Sequence, residues 1–381
     1  MISNSPQKVG IVTFFKGNYG SILQCYATCV VLEKLGLSPC VIEKHSNRFS
    51  NLMRFAIRCL RHPRYIDTFL ALRRKAFSSG SRLLTEDKQA MESFIHRQLP
   101  VSCVTSTELH KMGSDEQYIA FLSGSDQIWG GHEYVIDSTR FIRFAPQCKR
   151  IAWAPSLGSS DIAEYNKRKY KKYILDYAHL SVREASAVPI IKDLTGKEPI
   201  VLTDPVFLLT RREWEAFVSH DLHERYVLCY FLDALSASTI QQIERYCRSH
   251  KAKPVVFGPW NDSYCEIKTE KMCGGPEMFV SLIANADCVF TDSFHALSFS
   301  LIMNTPFFIY KRNYAHGIDQ SSRVKALLEK MNMAQYFEPQ ASEAATWDFS
   351  NSNSVILKER NEMLEYLCSC LKIPHQAEVF Q

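Results

Sequence analysis

No run of about 18 uninterrupted apolar residues occurs in the chain, so no helical membrane span is expected. Met1 to Lys8 is polar and leads straight into an apolar stretch, so no secretory leader is expected either. Neither sign of charge dominates. The 45 Lys and Arg exceed the 40 Asp and Glu by only five, too small an excess for a nucleic-acid binder. The 13 cysteines include no Cys-x-x-Cys pair, the nearest spacings being Cys25/Cys29 and Cys368/Cys370. That excludes a zinc ribbon and a disulfide framework, and it fits mostly buried, reduced thiols in a cytoplasmic protein. The Walker pattern, the dinucleotide glycine fingerprint, internal repeats and low-complexity tracts are also missing. No metal-ligand cluster is apparent.

What remains is ordinary globular composition, 46% hydrophobic and 22% charged, which excludes disordered, collagenous and coiled-coil chains. At roughly 150 residues per domain, 381 residues suggest two domains. Short apolar runs alternate with helical spacing. Val9–Phe15, Cys40–Glu43, Tyr118–Leu122, Arg150–Ala154, His179–Val182 and Ile200–Leu202 read as strands of one sheet, with a helix over Ser21–Leu35 capped by Gly36. A second series follows Asp204-Pro205. Its strands are Tyr226–Phe231, Pro254–Phe257, Cys288–Thr291 and Pro306–Tyr310, and its helices lie over Ser236–His250, Glu277–Asn285 and Ser321–Met331.

Continuous apolar strands alternating with helices point to parallel sheets covered on both faces. The expected class is therefore α/β, with two Rossmann-like domains, 1–204 and 205–381, facing across a cleft. A final helix near Lys358–Leu371 is placed to pack back on the first domain. Residues 45–118 interrupt the first series as a helical, basic insertion. Its stretch 48–75 carries eight Lys or Arg against Asp67 alone, interleaved with Phe49, Leu52, Met53, Phe55, Ile57 and Leu60. Such a segment can make peripheral contact with an anionic membrane, but a solvated helical insertion with its apolar side on the sheet is the favoured reading.

Ligands of open parallel sheets bind at the carboxyl ends of strands, and four polar motifs sit there. Gly17-Asn18-Tyr19-Gly20-Ser21 opens the first helix, where backbone N–H groups suit an anion or a sugar hydroxyl; glycines also simply serve turns. Gly124-Ser125-Asp126-Gln127-Ile128-Trp129 combines hydroxyl, carboxylate, amide and indole, a mixture suited to carbohydrate. It equally fits a turn with Asp126 as a helix cap and Trp129 buried. Ser181-Val182-Arg183-Glu184 offers a guanidinium fork for phosphate or carboxylate, or a structural ion pair. Thr291-Asp292-Ser293-Phe294-His295 places an imidazole at a helix start, able to give a proton near neutral pH.

Together these segments resemble the polysaccharide pyruvyl transferase family. The resemblance rests on Asn18–Gly20 with Leu23-Gln24, Gly124–Trp129, Ile151–Ala154 with Gly158, Ser181–Glu184, Asp204-Pro205 and Asn285–Ser300, in the family's order over roughly residues 8–330. Ala296 stands where a glycine commonly follows the histidine, and Pro155 where a small residue is usual. The resemblance implies a fold similar to the two-domain, GT-B-like glycosyltransferases, with the first domain on the acceptor side and the second on the donor side. It implies phosphoenolpyruvate as co-substrate, no cofactor, and a sugar of a polysaccharide or lipid-linked precursor as acceptor. His295 and Arg183 are the implied catalytic positions, with Asp126 or Glu184 receiving the hydroxyl proton. Asn18, Tyr19, Gly20, Ser125, Gln127, Trp129, Asp292, Ser293 and Phe294 are the candidate substrate contacts. A nucleotide-sugar glycosyltransferase and a non-catalytic glycan-binding protein remain as rival readings of the same architecture.

Overall fold

The structure, a computed structural model, describes residues 6–45, 82–133, 136–159, 161–219, 224–260, 262–267, 270–312, 321–339 and 345–374. The basic stretch 48–75 lies outside these residues.

The first lobe is built on strands β1 (Lys8–Val12), β2 (Ser38–Lys44), β3 (Val101–Val104), β4 (Tyr118–Ser123) and β5 (Arg150–Ala152). All pair parallel, in the order β3-β2-β1-β4-β5. Helix α1 (Tyr19–Lys34) follows β1. It ends where Gly36 takes φ 75°, a left-handed conformation that glycine adopts without penalty. The expected insertion shrinks, because 101–104 joins the sheet as its edge strand. Helices α2 (Thr85–Gln98) and α3 (Ser106–Ser114) flank that strand.

Beyond β5, α4 (Glu164–Leu175) leads to β6 (Ser181–Val182), and α5 (Ala187–Thr195) to β7 (Ile200–Val201). Contrary to the expectation of a single sheet, these two strands do not join the main sheet. They form a separate parallel pair, tied to β5 by a single bridge between Ile151 and His179. A short helix α6 (Arg211–Trp214) follows.

The second lobe repeats the first. Strands β8 (Tyr226–Tyr230), β9 (Lys253–Phe257), β10 (Glu270–Met272), β11 (Cys288–Thr291) and β12 (Phe307–Ile309) pair parallel in the order β10-β9-β8-β11-β12. Helices α7 (Ala237–His250), α8 (Pro276–Asn285), α9 (Phe294–Met303) and α10 (Ser321–Lys330) pack around it. Counting each lobe from its own first strand, the two orders are identical. Both are the dinucleotide-fold order without its last strand, and both reverse direction beside the first strand. The fold is thus two Rossmann-like domains, the class expected from the alternation of strands and helices.

One apolar core runs through both lobes. Val9 and Ile11 of β1 and Val227 and Leu228 of β8 belong to the same buried cluster. Tyr19 joins the halves. Its ring lies 5.5 Å from Phe279 and 4.9 Å from Phe257, and its hydroxyl donates to the Gly274 carbonyl at 3.1 Å. Helix α11 (Ser350–Leu371) closes the chain. Arg360 donates to the carbonyls of Phe207 and Leu209, and the Tyr366 hydroxyl to that of Ala152 in β5. Among the described residues no helix is long and apolar enough to cross a membrane.

Candidate active site

A cleft of about 250 Å³ opens where the two reversal points meet. Its walls are the segments that follow the strands flanking each point. Phe14, Asn18 and Ser21 come after β1, and Asp126 and Gln127 after β4. Leu232 comes after β8, Asp292–His295 after β11, and Tyr310 and Arg312 after β12. A larger groove of about 1200 Å³ shares Asn18, Leu232 and Arg312 with it.

At the first reversal point Asn18 caps α1. Its Oδ1 accepts from the backbone N–H of Gly20 at 2.9 Å and of Ser21 at 3.3 Å. The donors expected to hold an anion are therefore already occupied. Ser21 Oγ donates instead to Asp126, whose backbone takes φ 58° in the turn after β4. Asp126 is thus set by a tight turn and a hydroxyl; no helix starts on it.

The small β6–β7 sheet brings Arg183 and Asp204 side by side, each just beyond its strand. Arg183 Nη1 donates to Asp204 Oδ2 at 2.6 Å, with the two side chains 3% and 0% exposed. Arg183 Nη2 lies 3.8 Å from Asp126 Oδ1, and the guanidinium sits 4.9 Å from the centre of the Phe294 ring. From the other lobe, His295 Nε2 reaches to 3.5 Å from the same Asp204 oxygen. The guanidinium and the imidazole thus meet on one carboxylate. Burial opposes the Arg183 charge, but Asp204, Asp126 and Glu184 outweigh it and hold the group above its ordinary value. Burial opposes the Asp204 charge as well, yet His295, Arg183 and the Val206 N–H bring its carboxyl down to about 2.

His295 comes this close because residue 20 is glycine. A Cβ there would stand 2.0 Å from the imidazole Cγ. Next to the histidine, Asp292 accepts from the backbone N–H of Leu232 at 2.7 Å and of Asp233 at 3.0 Å. Burial raises its carboxyl to about 7; nearby Arg312 and the two N–H donors resist this, while Asp233 adds to it. Ser293 caps α9, its Oγ accepting from the Ala296 N–H at 3.4 Å.

The profile of the polysaccharide pyruvyl transferase family matches residues 18–314. The chain belongs to that family. No curated protein sequence matches it. Among solved structures it is similar to a putative UDP-N-acetylglucosamine 2-epimerase from Listeria monocytogenes, at 11% identity and a TM-score of 0.49 over 98% of each chain. It is also similar to UDP-GlcNAc 2-epimerase from Neisseria meningitidis bound to UDP-GlcNAc, at 12% identity and 0.44 over 97% of this chain and 95% of that one. MurG from Acinetobacter baumannii is similar at 10% identity and 0.40, over 98% and 97%.

In this pyruvyl transferase family member, Asn18, Asp126, Gln127, Asp292, Ser293, Phe294 and His295 all line the cleft. Tyr19 does not: it is locked into the junction between lobes. Trp129 is fully buried, stacked 5.3 Å from Phe141 with its indole N–H donating to Ser123, so it offers no platform to a sugar. Ser125 is buried too, bonded to the Ala154 carbonyl at 3.0 Å. Glu184 accepts from Ser156 Oγ and the Leu157 N–H, which makes it a tie for that loop and not a base facing the cleft. Gly20 acts as the space that admits His295. Sequence reasoning takes Asp204-Pro205 as a domain boundary and as part of the family resemblance but gives Asp204 no role in the site, and it misses Arg312 and Arg323. The Asp-Pro pair directly beyond an apolar run is the one signal that points to Asp204.

Proposed function

We propose that this protein moves the pyruvyl group of phosphoenolpyruvate onto two hydroxyls of one sugar in a polysaccharide or lipid-linked glycan, forming a cyclic ketal and releasing phosphate. The observation that supports it best is the meeting of Arg183 and His295 on Asp204, at the edge of a cleft sized for one small anion and opening on a larger groove.

In this scheme the His295 imidazolium, facing Asp204 at 3.5 Å, gives its proton to the methylene carbon of the enol ether. C2 becomes cationic, and the first sugar hydroxyl adds there while its proton passes to Asp126. Phosphate departs with the electrons of its C–O bond. The second hydroxyl adds to the resulting oxocarbenium, and its proton leaves with the phosphate as hydrogen phosphate. The proton held by Asp126 restores the imidazolium, so two hydroxyl protons balance the methyl group and the released phosphate. The larger groove takes the rest of the glycan. The basic stretch 48–75 is the reason to include acceptors held at an anionic membrane, and salt-sensitive flotation with anionic liposomes tests that extension.

The decisive experiment supplies phosphoenolpyruvate and a glycan panel and reads phosphate release with the matching mass gain of one sugar. The His295→Gln variant, folded by circular dichroism, should lose about 10²–10⁴-fold in rate. Near-normal transfer by that variant ends the scheme. Phosphoenolpyruvate should also raise the melting temperature where UDP does not; the reverse result favours a nucleotide-sugar transferase.

A further inference from the structure

Arg183 is the cation that sequence motifs offer for the donor's charges, yet it does not line the cleft. Its side chain is only 3% exposed, paired with Asp204 at 2.6 Å and lying 3.8 Å from Asp126, and the cavity it does line is a separate one that shares Phe294 and Arg323 with the cleft. A donor with three negative charges needs cations at the cleft wall. Among the described residues, the arginines lining that wall are Arg312, just beyond β12, and Arg323, in the first turn of α10.

Both are set in place from the second lobe. Arg312 lies 3.4 Å from Asp233 and 3.9 Å from Asp292, and the Arg323 guanidinium sits 5.8 Å from the centre of the Phe294 ring. Asp292 spends its oxygens on two backbone N–H groups, and burial raises its carboxyl to about 7. Asp233 and Asp292 hold Arg312 without burying it: a quarter of its side chain stays exposed, against 3% for Arg183. Two planar guanidinium forks suit a substrate with one phosphate and one carboxylate, each able to accept bidentate bonds.

We infer that Arg312 and Arg323 bind the phosphate and carboxylate of the donor, and that Arg183 is a positioning residue that fixes Asp126 and Asp204 at the cleft edge. The inference rests on the reaction proposed above and assigns its donor subsite. It separates two effects. Loss of a cleft arginine weakens donor binding, whereas loss of Arg183 misplaces the groups that move protons.

Calorimetric titration with phosphoenolpyruvate, together with steady-state rates, decides it. The full chain should bind the donor, and Arg312→Gln and Arg323→Gln should each weaken binding about ten- to a hundredfold, as for the loss of a charge-assisted hydrogen bond. Arg183→Lys keeps the charge but cannot bridge two carboxylates. It should hold donor affinity within about threefold while kcat falls far more, a split that damage to the fold does not produce. If Arg312→Gln and Arg323→Gln bind donor like the parent, or if Arg183→Lys loses donor affinity in step with rate, the assignment falls while the reaction stands. A parent chain that binds no phosphoenolpyruvate overturns the reaction and the assignment together.

Discussion

Asp204 is the residue on which the site depends, and its titration makes that measurable. Its carboxyl is held at about 2 against an ordinary 3.8. Its contribution to stability is therefore complete above about pH 4 and is lost as pH falls through 2. The difference corresponds to about 2 kcal/mol. Urea midpoints for Asp204→Asn should show a loss of that order or more at pH 7, shrinking towards pH 2. Asp292 has the opposite sign. Raised to about 7, it stabilises the fold below about pH 4, and that contribution drains away as pH rises through 7. Asp292→Asn should flatten the slope of stability between pH 4 and 7. Gly20→Ala puts a methyl group where the His295 ring stands, and should cut transfer at least tenfold with the fold retained, as kcat and circular dichroism would show. Sequence spacing locates His295 and Asp126, since each follows an apolar strand. It cannot show that Arg183 and His295 share one oxygen of Asp204, because these three meet only through the pairing of β6 with β7 and the facing of two lobes. The aromatic residues mislead for a related reason. Tyr19 and Trp129 stand beside polar motifs in the chain, but neighbours along a strand end or a helix turn point to opposite sides, and both rings point into cores.

Among the elements, α1 does two tasks with adjacent residues. Asn18 and Ser21 face the cleft, while Tyr19 enters the other lobe. Tyr19→Phe removes the hydroxyl's contacts with the Gly274 carbonyl and with Asp87 and should cost about 1–3 kcal/mol. Tyr19→Ala empties an aromatic socket and should cost about 3–5 kcal/mol in chemical denaturation. The main strands and helices are legible in the sequence because parallel strands buried on both faces are continuously apolar. Two assignments are not. β3, with the pattern Val-Ser-Cys-Val at an exposed edge, lacks the apolar continuity of its neighbours. The β6–β7 pair has the right composition, but composition carries no information about which sheet a strand joins.

As a whole molecule, the protein has two sheets of the same strand order and one apolar core across both. Thermal unfolding should therefore appear as a single transition by calorimetry and by tryptophan fluorescence alike, and two separated transitions would show the lobes to be independent. Helix α11 reinforces the join by reaching from the end of the chain to the β5 carbonyl of Ala152. The ring of Tyr19 has a consequence for inheritance. Its socket is cut by Phe257, Phe279 and Tyr230 of the opposite half, so a lobe borrowed from a distant relative arrives with a lock that the resident key does not fit. New specificities in such a protein arise more readily by altering loops around a shared hinge than by exchanging halves.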